Sequence, residues 1–435
     1  MQSFTLRSFP KAILHIDGDS FFASCEVAKN PSLRGKPVVT GKERGIASSM
    51  TYEAKARGVT RGMQIREILK VCPDAIILPS DYETYSLYSK RMFEIVKRYT
   101  PEVDEYSIDE CFADITGFRS YHGMSYEQIA TQIKKELDEE LGMTFSVGLG
   151  VNKVTAKIGS KWKKPNGFTS IPGHSLHLYL AKLPIEKVWG IGPNTSEFLK
   201  RFKILTALDF ALCTEDFVTS KLNKPYQEIW RELRGEFVYP LNTVEKHDYK
   251  SISKTKTFTP PSSSRSFVFS QLSKNIESAC IKLRRHELVT NSVFFFLKTQ
   301  DMKTKGVELK FSIPTSVPQD IIQAVSERFD EVYTSKKLYR ATGIALMKLT
   351  HSTGLQMDLF GKTLRVEEIS TIYKYIDKVA QKYGKHTLFL GSSMEAMKNQ
   401  QHNGDRGDIP ERKLQLFKGE TARKRLGIIS LGKVH

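Results

Sequence analysis

The chemistry open to this chain rests on two acidic clusters. In Tyr106-Ser107-Ile108-Asp109-Glu110-Cys111-Phe112, two adjacent carboxylates sit inside an otherwise apolar, strand-like run. A second acidic pair, Asp17 and Asp19, closes the apolar run Ala12-Ile13-Leu14-His15-Ile16. Buried carboxylates must coordinate a metal, pair with a cation or neutralise. The chain as a whole is basic, with 66 Lys and Arg against 48 Asp and Glu and a formal net charge of +18. Acidic strand ends in a basic protein point to a divalent cation and a polyanionic substrate, as in phosphoryl chemistry on nucleic acid. Hard Mg2+ takes carboxylates, carbonyls and water, and a two-metal site sets its ions about 4 Å apart. Adjacent residues of a regular strand face opposite sides. Asp109 and Glu110 can therefore share a site only where the strand twists, turns or bulges.

A second group could hold phosphate. It comprises Tyr52-Glu53-Ala54-Lys55-Ala56-Arg57-Gly58 and the lysines 153, 157, 161 and 164. Lys153, Lys157 and Lys161 are four apart and line one helical face. Such a stripe also reads as an ordinary solvated face. Gly190-Ile191-Gly192, in a helical context, reads as a plain glycine turn or as a helix-hairpin-helix. The latter contacts a DNA phosphate through backbone N–H groups without reading sequence, and Lys200 and Arg201 could add to it.

The elements that must position these groups alternate sheet and helix, an α+β core. Residues 12–17 read as a buried strand ending at an acid. Residues 84–99 read as a helix, and residues 103–115 as strands around Asp109-Glu110. An amphipathic helix spans 125–141, with Ile129, Ile133 and Leu137 four apart. A short strand follows at 144–149, and Asn152 caps a helix ending before Pro165-Asn166-Gly167. Residues 170–240 are helical and short-looped. From 250 to 349 the order strand (250–258), helix (267–289), strand (291–300), strand (306–313), helix (317–335), strand (339–349) is ferredoxin-like. Val366, Ile369, Ile372, Ile376, Val379 and Tyr383 fall on one helical face, with Gly384 as its stop. Beyond Met397 the composition turns polar and basic.

At 435 residues the chain should form several domains. Its basic excess is uneven, with 33 basic and 29 acidic side chains in residues 1–244 and 33 against 19 in residues 245–435. The second half therefore favours a polyanion. The five cysteines, Cys25, Cys72, Cys111, Cys213 and Cys280, form no CxxC pair. That argues for a reducing, cytoplasmic setting and against a disulfide frame or zinc site. No apolar run approaches the ~20 residues of a membrane helix, and the N-terminus lacks a signal-peptide core.

Taken together, the motifs resemble the Y family of translesion DNA polymerases, the bacterial polymerase IV branch in particular. They are His15-Ile16-Asp17-Gly18-Asp19-Ser20-Phe21-Phe22-Ala23-Ser24-Cys25-Glu26, Asn30-Pro31-Ser32-Leu33-Arg34-Gly35-Lys36-Pro37-Val38-Val39, Tyr52 to Val59, Tyr106 to Glu110, Gly148-Leu149-Gly150-Val151-Asn152-Lys153 and Lys164-Pro165-Asn166-Gly167. They stand in family order, and the resemblance covers residues 10–350. It implies a multi-domain right-hand polymerase with a palm at 1–19 and 81–168, fingers at 20–80, and a thumb with a helix-hairpin-helix at 169–240. A linker at 241–249, a ferredoxin-like little finger at 250–350, a clamp-binding peptide at 351–361 and a basic tail with one amphipathic helix at 362–435 would follow.

The resemblance also implies roles. Asp17, Asp109 and Glu110 match the family's catalytic, metal-binding carboxylates, with the Gly18 carbonyl as a further ligand and two Mg2+ ions as cofactor. Phe22 matches the steric gate that collides with a ribose 2′-hydroxyl. Tyr52, Lys55 and Lys164 match nucleotide-binding groups, and Gly190, Gly192, Lys200 and Arg201 would touch DNA. Gln356-Met357-Asp358-Leu359-Phe360 is similar to the pentapeptide that binds the bacterial sliding clamp, with Met357 in the usual Leu position. The partners implied are primer-template DNA, deoxynucleoside triphosphates and that clamp, with no membrane, for a monomer.

Two residues depart from the pattern. Lys55 stands where Arg is usual and loses its bidentate fork, and Cys111 stands where Ala is common. The sequence shows no exonuclease segment, and about 60 residues is little material for fingers, so a loose, low-fidelity pocket is expected. Three other readings stay open: the catalytic subunit of a polymerase V-like complex, a non-catalytic DNA- and clamp-binding scaffold, and a metal-dependent nuclease.

Overall fold

A computed structural model describes residues 6–243, 249–352, 362–383 and 386–398. They fall into two compact units, one holding the described residues up to 243 and the other those from 249 onward.

The first unit is built on a five-stranded sheet. Its strands and those of a smaller sheet are, in chain order, β1 Ile13–Gly18, β2 Val38–Thr40, β3 Ser49–Met50, β4 Ile76–Leu78, β5 Val103–Asp104, β6 Glu110–Asp114, β7 Phe145–Gly150 and β8 Phe168–Ser170. The large sheet runs β5-β6-β1-β7-β8. β1 lies at its centre, antiparallel to both β6 and β7. This follows from composition: Ile13, Leu14 and Ile16 are fully buried, as befits a strand covered on both faces.

Alternation then divides the strand between two layers. Ala12, Leu14 and Ile16 pack into the core beneath helices Tyr82–Lys97 and Tyr126–Leu141, which present Met92, Val96, Ile129, Ile133 and Leu137. Ile13 and His15 face the other way, toward Phe112 and helix Lys153–Trp162. That helix lies so close to β7 that a Cβ at Gly148 would stand 2.0 Å from the Ala156 carbonyl oxygen. Asn152 caps it, accepting from the Thr155 amide at 3.0 Å. Residues 38–78 add the small sheet β3-β2-β4. Residues 176–233 form short helices around their own apolar core, including Leu199, Phe210 and Leu233.

In the second unit β9 Ser251–Ser262, helix Arg265–Arg285, β10 Leu288–Thr299, β11 Thr304–Thr315, helix Pro318–Arg328 and β12 Tyr339–His351 follow one another in the expected order. The sheet runs β11-β10-β12-β9, with every pair antiparallel. β12 lies between β9 and β10, and β10 between β11 and β12, so both βαβ units are split, as the ferredoxin-like order implies. Helix Lys362–Tyr383 is present, and its apolar face is partly covered, with Ile369, Ile376 and Val379 half-buried. Ile372 and Tyr383 are more than half exposed, whereas Tyr373 is 5% exposed. The Arg265–Arg285 helix sets this register through Arg284. Its guanidinium binds both Asp377 oxygens at 2.7 and 2.8 Å and lies 4.4 Å over the Tyr373 ring. Gly384, the side chain of Val366 and the basic tail from 399 onward lie outside the described residues.

Candidate active site

β1 and β6 bring the two acidic clusters together. Asp17 stands directly opposite Glu110 in their antiparallel register. A carboxylate oxygen of each and a ring nitrogen of His15 lie within 4.8 Å of one another. Asp109 precedes the strand, at the tip of the turn from β5 into β6. Ser107 N–H donates to the Glu110 carbonyl at 3.0 Å, and the Asp109 carbonyl accepts from Gly18 N–H at 2.8 Å. The turn resolves the facing problem, because Asp109 leaves the pleat and both neighbours border one cleft. The Asp109 carboxylate accepts the Ser107 hydroxyl and does not join the His15, Asp17 and Glu110 cluster.

That cleft is open, about 800 Å3 in volume, and lined among others by Asp17, Gly18, Phe22, Lys55, Asp109, Glu110 and Lys164. Each paired carboxylate carries an ammonium counter-charge. Lys164 is ion-paired with Asp17. Lys157 donates to both Glu110 oxygens, at 2.9 and 2.8 Å, and His15 Nε2 lies 3.1 Å from one of them. Burial alone would raise the Glu110 pKa, but the hydrogen bonds from His15 and Lys157 outweigh it and hold the value at about 2. Burial lowers the pKa of His15, against the pull of Glu110. On its other side the ring is held by the Ser160 hydroxyl, 2.7 Å from His15 Nδ1.

Of the expected nucleotide-binding groups, Lys55 and Lys164 line the same space, and Tyr52 stands against Lys55. Lys55 donates to the Ser20 hydroxyl at 2.8 Å and lies 4.0 Å over the Tyr52 ring. Burial, then the charge of Lys164, lowers the Lys55 pKa. The Tyr52 phenol is pushed up to about 12 by burial and by Asp19 and Asp17. Phe22 is partly buried and stacks on Tyr85 at 4.6 Å with the rings 12° apart. Tyr85 is itself held by a 2.8 Å hydrogen bond to Glu26.

The lysine stripe is not one solvated face. Lys153 is buried, donating to Asp104 at 2.6 Å and to the Pro240 carbonyl at 2.8 Å. Lys157 is buried on Glu110, while Lys161 is exposed. Sequence reasoning missed the link from His15 and Lys157 to Glu110. Period-2 spacing does place His15 on the same face as Asp17, and that was the available signal. Gly190, Gly192, Lys200 and Arg201 lie apart from the cleft. Gly190 has φ +88°, which favours glycine, and Gly192 is the N-cap of helix Pro193–Arg201. The element before that hairpin is a single 3-10 turn, Ile185–Lys187. Lys200 pairs with Glu186 at 3.2 Å and Arg201 with Glu197 at 3.5 Å. Gln356, Met357, Asp358, Leu359 and Phe360 lie outside the described residues.

The donor set suits a hard divalent ion: two facing carboxylates, a third on the adjoining turn, and no sulfur ligand. Comparison with known proteins identifies the family. The model of the impB/mucB/samB family matches residues 16–161, and that of the family's C-terminal domain matches residues 249–359. DNA polymerase IV of Bacillus velezensis is 32% identical over 391 residues, covering 88% of this chain and 93% of that protein. DNA polymerase IV of Opitutus terrae is 33% identical, covering 80% and 89%. This chain belongs to the Y family of translesion DNA polymerases.

Solved Y-family structures share the fold. A Y-family DNA polymerase chimera superposes with a TM-score of 0.67 at 23% identity, covering 78% of this chain and 99% of the chimera. An insertion ternary complex of Dbh DNA polymerase gives 0.53 at 22% identity, covering 78% and 99%. As a Y-family enzyme the chain is a DNA-directed DNA polymerase acting in translesion synthesis, and enzymes of this family depend on a divalent metal. Among the described residues no helix is long and apolar enough to cross a membrane.

Proposed function

We propose that Asp17, Asp109 and Glu110 hold two Mg2+ ions in this cleft, with the Gly18 carbonyl as a further ligand, and that nucleotidyl transfer takes place there. The observation that carries the reading is the register of Asp17 against Glu110, with Asp109 on the adjoining turn and Lys164 paired to Asp17. Bound divalent ions supply an activated primer 3′-hydroxyl and neutralise charge on the departing pyrophosphate. The protein's own groups do the rest. Lys157 and His15 keep Glu110 ionised at neutral pH and fix its orientation. Lys164 gives up Asp17 for a phosphate oxygen of the incoming nucleotide, and Lys55 and Tyr52 orient the remainder of that triphosphate. Phe22, backed by Tyr85, sets the floor under the sugar.

Within this reading residues 1–19 and 81–168 are the palm, 20–80 the fingers, 169–240 the thumb and 250–350 the little finger. Gly190, Gly192, Lys200 and Arg201 contact a DNA phosphate, and the basic second unit adds phosphate contacts. The peptide Gln356 to Phe360 binds the sliding clamp, and the enzyme works as a cytoplasmic monomer. Asp109→Asn and Glu110→Gln should each lose primer extension by at least about a hundredfold, the scale of losing a transition-state contact, while binding of primer-template DNA persists. Near-normal extension by either variant refutes the assignment.

A further inference from the structure

The second aspartate of the Asp17 and Asp19 pair has a task that the metal site does not use. Asp19 follows β1 directly and is 1% exposed. Its backbone N–H donates to the Thr144 carbonyl at 3.0 Å. Both carboxylate oxygens are engaged by donors. Oδ1 accepts the Ser146 hydroxyl at 2.8 Å, and Oδ2 accepts the Thr144 hydroxyl at 3.0 Å and the Asn166 backbone N–H at 2.7 Å. A carboxylate so enclosed has little left to offer a cation. It does hold the turn that carries Lys164, whose ammonium lies 3.7 Å from Oδ1.

The rest of that turn is fixed from other sides. Val147 N–H donates to the Gly167 carbonyl at 2.9 Å. A Cβ at Gly167 would stand 2.0 Å from the Lys163 carbonyl oxygen. Asn166 has φ +56° and accepts from Lys134 through its side chain. The bond from Asn166 N–H to Asp19 is charge-assisted, the stronger kind, and it acts on the backbone two residues from Lys164.

We infer that Asp19 is a positioning residue for Lys164. Its buried carboxylate anchors the 164–167 turn to β1 and β7, so that the Lys164 ammonium is aimed at the incoming triphosphate. This rests on the reading of Lys164 as a triphosphate ligand, and the test separates the two. Asp19→Asn keeps size and shape but removes the charge from the bond to the Asn166 N–H and leaves one acceptor oxygen where Asp19 offers two. Single-nucleotide incorporation should show the nucleotide KM rising about tenfold, the scale of one charge-assisted bond, with kcat changed much less. The Mg2+ midpoint should stay where it was.

The deciding arm is the double variant. If Asp19 acts through Lys164, then D19N changes the nucleotide KM little once Lys164→Ala is already present. Equal effects of D19N with and without Lys164, an unchanged KM, or a shifted Mg2+ midpoint would each overturn the inference. A K164A variant with normal nucleotide KM would instead overturn the triphosphate reading itself, and the inference with it. If D19N does not fold, Ser146→Ala serves in its place. It should raise KM in the same direction by a smaller factor, again only when Lys164 is present, and no rise would count against Asp19.

Discussion

Removing Lys157 tests how the fold keeps Glu110 ready. The lysine side chain is 7% exposed and its partner 15%. Its ammonium is packed against the rings of Trp189 at 4.9 Å, Tyr106 at 5.0 Å and Phe112 at 5.9 Å. Lys157→Met would leave Glu110 buried with His15 alone. Breaking a buried pair from one side costs about 3–5 kcal/mol. The pKa bounds the scale: Glu110 stands at about 2 against 4.5, a gap equivalent to about 3 kcal/mol at neutral pH that His15 and Lys157 share.

The sign follows from linkage. A depressed carboxylate pKa stabilises the fold above the unfolded value and loses that contribution as pH falls toward the folded one. The deficit of K157M should therefore be largest near neutral pH and shrink as the solution is acidified from about 4.5 toward 2, where a protonated Glu110 needs no counter-charge. Urea unfolding followed by tryptophan fluorescence measures this in the right place. All three tryptophans, Trp162, Trp189 and Trp230, lie in the first unit, so the signal reports that body alone. A deficit below about 1 kcal/mol, typical of an exposed pair, or one that does not change on acidification, would refute the reasoning.

Two further outcomes bear on substrate and partner. Phe22→Ala should admit ribonucleotides, raising the ratio of ribonucleotide to deoxynucleotide kcat/KM by at least about tenfold, the scale of removing one steric clash; an unchanged ratio removes the gate role. Deleting Gln356 to Phe360 should abolish the stimulation of synthesis by the sliding clamp and spare basal synthesis. Surviving stimulation would leave that peptide as linker.

The acidic strand ends were legible because carboxylates rarely close apolar runs without a purpose, and β1 was legible from its continuous apolar run. The helix of Ile129, Ile133 and Leu137 was legible from period alone, and those three side chains are buried as expected. What stands opposite each group was not legible. A spacing of four says that Lys153, Lys157 and Lys161 share a face, but not that Asp104 and Glu110 lie across from two of them. Which side of the 362–383 helix docks was not legible for the same reason. Its apolar residues define one stripe, yet Arg284 on another helix selected Tyr373 and Asp377 as the docked side. Strand order in the second unit depends on pairings between residues some 50 apart, such as Phe295 with Ile344, which local pattern does not encode.

Crystals of the enzyme with primer-template DNA, an incoming non-hydrolysable deoxynucleotide and Mn2+, measured for anomalous scattering at the manganese edge, would test the account at its centre. Two peaks about 4 Å apart, touching the carboxylates of Asp17, Asp109 and Glu110, with Lys164 moved from Asp17 onto the triphosphate, are predicted. Manganese bound elsewhere, or Lys164 still paired to Asp17 beside a bound nucleotide, would contradict it.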